Sequence, residues 1–547
     1  MEIVSVWISR RQSWFKPTNE FMQNNISDKN YQNSCADSNE PATYTPLYIS
    51  RFIRPGKRIF FIGIGGISMC GLAEFSHSRG VKVAGSDAIS NNRTKYLKKI
   101  GIPVTTGHSR KNISDFNPDL VVYSGAVFAD NPERAEAKDR NMPLVERAVF
   151  LGAINCLFDK VINVAGTNGK SSVVAMCALI MIESQLDPTV HLGAELLQFK
   201  TTIRVGSPDL LLSEACEFRK GFLNYRSQIA AVVNIVHDHI DCYPTLQDMI
   251  SAFADFVTLQ PEGCILLLPT FDTNILPMLK LVQQRRKGGL STLELIWFGH
   301  QEQKVPAALA ELEASEESEL KSPAAGSEPN YSWCDDDFST GFPAFTIRKN
   351  GEYYRRVQLK VPGVFNIENA MAAVALADLN GAAPEAAEKA LADFIGAEGR
   401  FTYTGMYNGA KVFADYAHHP SAVRVTIEAA RHIPANKLWV CYQPLTHSRV
   451  RGFFDDFVDA LKDEKPIMMS EIYDDRERDT SISSKDICDA INALGGEALY
   501  FPTNEDLEAH LRTIVKPGDV LLIMGVDLRN TANILTGRTD HMKKVED

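Results

Sequence analysis

The sequence predicts an α/β chain of three successive doubly wound units. Short apolar runs that stop at a glycine or an acid alternate with helix-length segments, the rhythm of buried parallel strands joined by helices. The rhythm restarts twice, near residues 160 and 396. A chain of 547 residues also exceeds what one hydrophobic core supports, and length alone suggests about three units.

Residues 1–50 are rich in Asn, Ser, Asp and Tyr, show no sustained period, and read as a poorly ordered extension. The first unit, 57–155, opens with the run Lys57–Gly63. A helix over Ser68–Arg79 follows, then strands at Val81–Gly85 and Asp119–Ser124. The second unit, 156–395, opens at Lys160–Gly166 and holds strands at Asp209–Ser213 and Ile229–Val236. Within it, residues 301–330 are dominated by Ala, Glu, Ser and Pro and read as a solvated, flexible acidic insertion. The third unit, 396–547, has strands at Ala410–Asp415, Lys437–Tyr442 and Asp519–Gly525, with a helix over Pro420–His432.

Bulk properties narrow the function. Hydrophobic residues make up 45% and charged residues 23%, the balance of a soluble globular protein. A formal charge of −11 excludes a general nucleic-acid or anionic-membrane binder, which needs a basic face. Ten cysteines are scattered from Cys35 to Cys488 with no C-x-x-C pair, so reduced, mostly buried thiols are expected. No run approaches the roughly 18 apolar residues of a spanning helix, and residues 1–20 lack a signal-peptide core. A cytoplasmic protein is the expectation.

Gly166-Thr167-Asn168-Gly169-Lys170-Ser171-Ser172 carries the strongest chemical signal. A strand runs into a glycine loop, then a lysine and two serines, then a helix. Small residues let backbone N–H groups converge on an anion, and the helix N-terminus and lysine add positive charge. Ser171 is placed to coordinate Mg²⁺. A strict P-loop has a glycine six residues before the lysine, and Val164 stands there, so the loop is a variant. A tight turn with an incidental lysine is disfavoured by the strand–loop–helix context. Gly63, Gly65 and Gly66 follow the first strand like a dinucleotide fingerprint, but Ser68 replaces the third glycine; Asp87 closes the second strand where a ribose-binding acid belongs. A nucleotide-phosphate loop or a plain helix-start turn both fit that pattern.

Glu214 ends a strand, and His239 lies within Asn234-Ile-Val-His-Asp-His239. Both are reasonable metal-ligand types beside such a loop. His237 and His239 point to opposite faces of an extended segment, so His237 reads as a surface residue, while His239 stays open between ligand and bystander. In Asp415-Tyr-Ala-His418-His419-Pro420, an acid and two histidines at a strand end either orient a nucleophilic amine or form a capped turn.

Taken in order, Gly63-Ile-Gly-Gly66, Gly85-Ser86-Asp87, Asn131-Pro-Glu133, Gly166-Thr-Asn-Gly-Lys-Ser171, Asn366, Asn369, Arg400 and Asp415-Tyr-Ala-His-His-Pro420 resemble the Mur ligase family over residues 57–530. The resemblance implies a Rossmann-like UDP-binding unit, a central P-loop ATP-binding unit and a Rossmann-like C-terminal unit. It further implies ATP and Mg²⁺ as cofactors. The implied substrates are UDP-N-acetylmuramate and an amino acid, L-alanine, joined through an acyl phosphate in peptidoglycan synthesis. By position, it places Lys170 on the ATP phosphates, Ser171 and Glu214 on one Mg²⁺, and His239 on a second. Asn366 and Asn369 would lie near adenine, and Arg400 and Asp415 would close on ATP. His418 and His419 would face the acyl phosphate and amine; Ser86 and Asp87 would lie by the uridine nucleotide, and Arg449 on the substrate side. The chain departs from the family at Phe365, at Gly399, in the reduced loop Gly525-Val-Asp527, and at Leu445, where a histidine is usual on the amino-acid side. Leu445 motivates two alternatives: a Mur-type ligase for a different amino acid or peptide, or a catalytically weak nucleotide-binding paralogue.

Overall fold

The computed structural model describes residues 44–196, 201–240, 242–313, 321–396, 399–474 and 480–538. Strands β1 (Arg58–Ile62), β2 (Lys82–Asp87), β3 (Val104–Thr106), β4 (Leu120–Tyr123) and β5 (Leu144–Glu146) form an all-parallel sheet in the order β3-β2-β1-β4-β5. Its central strands are buried on both faces, which is why they read as continuous apolar runs rather than alternating ones.

The second sheet contains β6 (Lys160–Ala165), β7 (Thr189–Leu196), β8 (Thr201–Arg204), β9 (Leu210–Ala215), β10 (Ile229–Val232), β11 (Cys264–Pro269), β12 (Leu293–His300), β13 (Tyr331–Asp337), β14 (Ala344–Lys349) and β15 (Glu352–Gln358). Their order is β15-β14-β13-β12-β11-β10-β6-β9-β7-β8, parallel from β13 to β7, with antiparallel strands at both edges. Helices Lys170–Glu183 and Val364–Leu379 pack side by side in its core and are apolar nearly all round, as helices enclosed on every side must be. The third sheet, in the order β16-β17-β21-β18-β19-β20, comprises β16 (Thr402–Tyr407), β17 (Ala410–Asp415), β18 (Leu438–Tyr442), β19 (Ile467–Ser470), β20 (Ala498–Phe501) and β21 (Val520–Met524), parallel except for the β16–β17 hairpin.

Three sequence expectations need correction. Most of the extension, residues 1–43, lies outside the described residues, but Pro46–Ser50 is a helix capped by Thr45, and Ile49 is fully buried. In the acidic segment, 314–320 lies outside the described residues, whereas its flanks are anchored. Val305 and Leu309 are fully buried, and Trp297 Nε1 donates to Ser322 Oγ at 3.1 Å. Burial of each such side chain stabilises by roughly 1.5–3 kcal/mol, enough to hold a polar segment down at two points. Ile229–Val236 stops being a strand at Val232, because the chain turns there to follow the glycine loop.

No helix among the described residues is long and apolar enough to cross a membrane. The described cysteines are free thiols. The motif-bearing loops follow the carboxyl ends of β1, β6, β9, β10, β17 and β18, the edge where parallel α/β sheets bind ligands.

Candidate active site

β6 ends at Ala165, and the chain enters helix Lys170–Glu183 through Gly166 to Gly169. Gly169 has φ +80°, and a Cβ there would collide with the side chain of Asn369, so only glycine lets the turn close against helix Val364–Leu379. No side chain caps this helix, leaving its first N–H groups open toward the loop, an arrangement suited to an anion. Asn234 fastens the loop from β10: its Oδ1 accepts from Asn168 N at 2.8 Å and its Nδ2 donates to Asn168 O at 2.9 Å. Thr167 Oγ1 donates to Val236 O at 2.9 Å.

Lys170 is buried, and its Nζ lies 2.8 Å from Glu217 Oε2 and donates to Thr167 O at 3.0 Å. Burial alone would depress the ammonium, but Glu217 outweighs it and raises the lysine above its ordinary value. Burial likewise opposes the Glu217 carboxylate, and Lys170 and His239 outweigh it, holding the acid below the usual range. His239 Nε2 stands 3.5 Å from Glu217 Oε1, and its ring packs 5.1 Å from the Phe218 ring. Both Glu217 oxygens lie within reach of the lysine, Oε1 at 3.1 Å and Oε2 at 2.8 Å.

Ser171 Oγ donates to Glu214 Oε2 at 2.7 Å, and Gly193 N donates to the same oxygen at 2.9 Å. The hydroxyl and carboxylate expected to share one Mg²⁺ are thus in contact. His239 instead faces Glu217, an acid that the sequence reading passed over. Its signal was the spacing Glu214-Ala-Cys-Glu217, two carboxylates bracketing a strand end. Among the described residues no three His, Cys, Asp or Glu side chains converge into a ready metal cage. The oxygen set Ser171, Glu214 and Glu217 fits Mg²⁺, which takes few protein ligands and keeps waters and phosphates. The Ser171 and Glu214 oxygens, 2.7 Å apart, are hard donors of the kind such an ion takes.

A second group joins the central and third units. Arg449 Nη2 donates to Asp238 Oδ1 at 2.9 Å, and both side chains are about nine-tenths buried. Burial opposes the Asp238 carboxylate, but Arg449 and the nearby histidines hold it well below the usual range. His418 Nε2 lies 4.0 Å from Asp238 Oδ2, and its Nδ1 meets Tyr416 O at 3.0 Å. Burial, with Arg449 adding to it, pushes His418 down to about 3, so the ring is neutral near pH 7. Arg449, expected on the substrate side, is therefore engaged by Asp238. Asp238 was also missed by sequence reasoning, which weighed only the two rings beside it.

The remaining expected residues have distinct surroundings. His419 Nδ1 accepts from Ser421 N at 3.3 Å and caps helix Pro420–Arg431, so the capped-turn alternative describes this ring. Asp415 accepts from Phe401 N and Ala417 N, both at 2.6 Å. Burial raises its acid against the pull of Arg400. Arg400 and Arg529 both lie over the Tyr416 ring. Asn366 Nδ2 donates to Pro362 O, and Asn369 Nδ2 donates to Asn366 Oδ1 at 3.3 Å, placing the pair against Gly169. His237 is half-buried rather than on the surface, with Nε2 2.8 Å from Tyr243 O. Leu445 is half-buried in a backbone bridge to Tyr473.

At the first sheet, Asp87 Oδ2 accepts from Gly65 N at 2.8 Å and closes the Gly63–Gly66 turn. Ser86 departs from expectation. It is fully buried, donating to Glu133 Oε2 at 2.6 Å beside His108 Nδ1, so its side chain braces the sheet edge from beneath. Ser68, in place of a third glycine, meets His191 Nε2 at 3.2 Å and accepts from Arg147 at 3.3 Å, which ties the first unit to the central sheet.

Comparison with known proteins follows the same order along the chain. The family descriptions "Mur ligase family, catalytic domain", "Mur ligase middle domain" and "Mur ligase, glutamate ligase domain" match residues 58–158, 164–377 and 399–526. A UDP-N-acetylmuramate–L-alanine ligase from Acetivibrio thermocellus is 38% identical over 473 residues, covering 86% of this chain and 93% of that protein. The enzyme of the same name from Agathobacter rectalis is 34% identical, covering 91% and 100%. Among solved structures, the UDP-N-acetylmuramate-alanine ligase of Thermotoga maritima superposes with TM-score 0.68 at 26% identity, covering 88% of this chain and 99% of that one. With three successive family matches and relatives aligned nearly end to end, this chain belongs to the Mur ligase family.

Proposed function

We propose that the chain is an ATP-dependent ligase that joins L-alanine to UDP-N-acetylmuramate in peptidoglycan biosynthesis. The observation that carries this is the 38% identity to a UDP-N-acetylmuramate–L-alanine ligase over 86% of the chain. The geometry agrees with it: a glycine loop, a buried lysine and a pair of carboxylates stand at one sheet edge, the parts that phosphoryl transfer to a carboxylate requires.

In this reading the first unit holds the sugar nucleotide at the Gly63–Gly66 turn, with Asp87 fixing that turn. Gly166 to Ser172 receive the ATP phosphates, Lys170 neutralises them, and Asn366 and Asn369 support the nucleotide end. Ser171, Glu214 and Glu217 would hold Mg²⁺, which when bound would offset phosphate charge; His239 would support Glu217 or ligate a second ion. The muramyl carboxylate attacks the terminal phosphorus, the bond from that phosphorus to the bridging oxygen of ATP breaks, and ADP leaves as the acyl phosphate forms. The alanine amine then attacks the activated carbonyl, loses a proton to solvent, and the C–O bond to phosphate breaks so that inorganic phosphate leaves as the amide forms. Catalysis of this kind is mostly positioning and charge neutralisation. The neutral His418 ring offers the amine a hydrogen-bond acceptor, and Asp238 with Arg449 keeps the third unit seated over the central one. Arg400 and Asp415 brace the strand end that carries His418. No strongly basic face for nucleic acid is implied by the formal charge of −11, and the ligase reading places the work in the cytoplasm.

Purified protein supplied with ATP, Mg²⁺, UDP-N-acetylmuramate and single amino acids tests the reading. Phosphate release that requires alanine supports it. Release with another amino acid or a peptide assigns the chain to a sister activity, the alternative that Leu445 keeps open. Nucleotide binding without release under any of these conditions would overturn the ligase reading.

A further inference from the structure

Between the carboxyl ends of the first and second sheets lies a turn that the roles above leave unused. Glu217 is followed by Phe218, Arg219 and Lys220, and the last two are consecutive non-glycine residues in the left-handed region, with φ 49° and 55°. Such a pair is unfavourable for L residues and persists only when surroundings impose it. Here they do. Lys220 N donates to Glu217 O at 2.8 Å, Phe222 N donates to Cys216 O at 3.0 Å, and Tyr243 Oη donates to Glu217 O at 2.6 Å.

The consequence is the placement of Arg219. Its side chain is exposed, lies over the Phe218 ring, and reaches across to the first unit, where Nη1 donates to Gly125 O at 3.1 Å. Gly125 follows β4, and its turn adjoins the first glycine loop: a Cβ on Gly63 would sit 3.3 Å from Ser124 Cβ and from Val127 Cγ2. Two residues before Arg219, Glu217 touches Lys170. One guanidinium therefore stands between the turn expected to hold the sugar nucleotide and the lysine expected to hold ATP. Glu146 Oε1 approaches the same Gly125 turn.

We propose that Arg219 is a substrate-binding residue that receives an anionic group of the sugar nucleotide, its diphosphate or its lactyl carboxylate, and so sets the span between the two loops. This rests on the ligase reading above. A substrate running from the first loop to the ATP phosphates must carry its negative groups past this point, and a planar guanidinium suits either oxyanion by paired hydrogen bonds.

The test uses the full-length protein, Arg219→Ala and Arg219→Lys, with calorimetric binding of UDP-N-acetylmuramate, of UDP-N-acetylglucosamine, which lacks the lactyl carboxylate, and of ATP. Arg219→Ala is expected to weaken UDP-N-acetylmuramate by about tenfold and raise its KM in step, with partial recovery in Arg219→Lys. Equal weakening of both sugar nucleotides identifies the diphosphate; weakening of the muramate alone identifies the carboxylate. Unchanged affinity for both would overturn the proposal, as would an equal loss of ATP affinity, which marks a merely structural role. Failure of the unmodified protein to bind UDP-N-acetylmuramate would instead overturn the ligase reading itself.

Discussion

Lys170 and Glu217 form a buried pair in which each partner keeps the other charged. Removing either leaves an uncompensated charge and empties one side of the proposed phosphate site. Lys170→Ala is expected to lower kcat by about a thousandfold or more while the circular dichroism spectrum and cooperative unfolding persist, because phosphate charge is then unopposed. An unchanged rate would remove Lys170 from the site. Glu217→Gln is expected to lower kcat by roughly a hundredfold and to raise the Mg²⁺ concentration needed for half-maximal rate; a loss of rate with an unaltered Mg²⁺ profile would leave Glu217 as a lysine partner only. The glycine loop, Lys170 and Ser171 were legible in the sequence because their spacing follows from one strand–loop–helix turn, and Glu214 because it ends an apolar strand run, the one that pairs with β6. Glu217 and Asp238 were not. Each owes its role to partners 47 and 211 residues away, Lys170 and Arg449, and no local spacing announces such contacts.

Burial on both faces wrote the unbroken apolar runs that made Arg58–Ile62 and Val520–Met524 legible, although the similar runs Cys264–Pro269 and Ile467–Ser470 went unread. Composition misled at 301–330, where two buried side chains anchor an otherwise polar stretch. Leu309→Ala is expected to destabilise the protein by about 2–5 kcal/mol in urea unfolding, as for a buried leucine; a change near zero would return the segment to solvent. The segment Asp415–Pro420 shows how one motif divides its labour. His419 caps the following helix, whereas His418 points to Asp238. His418 sits near 3 in the folded chain and near 6.5 when unfolded, so the unfolded chain binds more protons between those values. Stability contributed by the neutral ring is thus complete above about pH 6.5 and declines as pH falls toward about 3. Urea midpoints across that range should fall less steeply in His418→Asn than in the unmodified protein; identical slopes would show that another group carries the titration.

Across the whole molecule, the central and third units meet through a loop that inserts side chains from one into the other. Asp238 pairs with Arg449, Ile240 packs against the third unit's core, and His237 contacts Phe453. Breaking a buried ion pair from one side costs about 3–5 kcal/mol, more than an interface of modest size readily spares. Asp238→Ala is therefore expected to lower kcat by at least about tenfold with ATP affinity largely retained, measured by steady-state kinetics and nucleotide titration. Equal turnover in that variant would make the bridge incidental. The third unit is where the sequence departs most from the family pattern, with Leu445 just before the helix His447–Gly452 that carries Arg449. Carboxyl activation by ATP can be followed directly with UDP-N-acetylmuramate carrying ¹⁸O in its lactyl carboxylate. A ligase working through an acyl phosphate delivers one labelled oxygen to the released phosphate in each turnover. Unlabelled phosphate, released while the alanyl product forms, would contradict the mechanism.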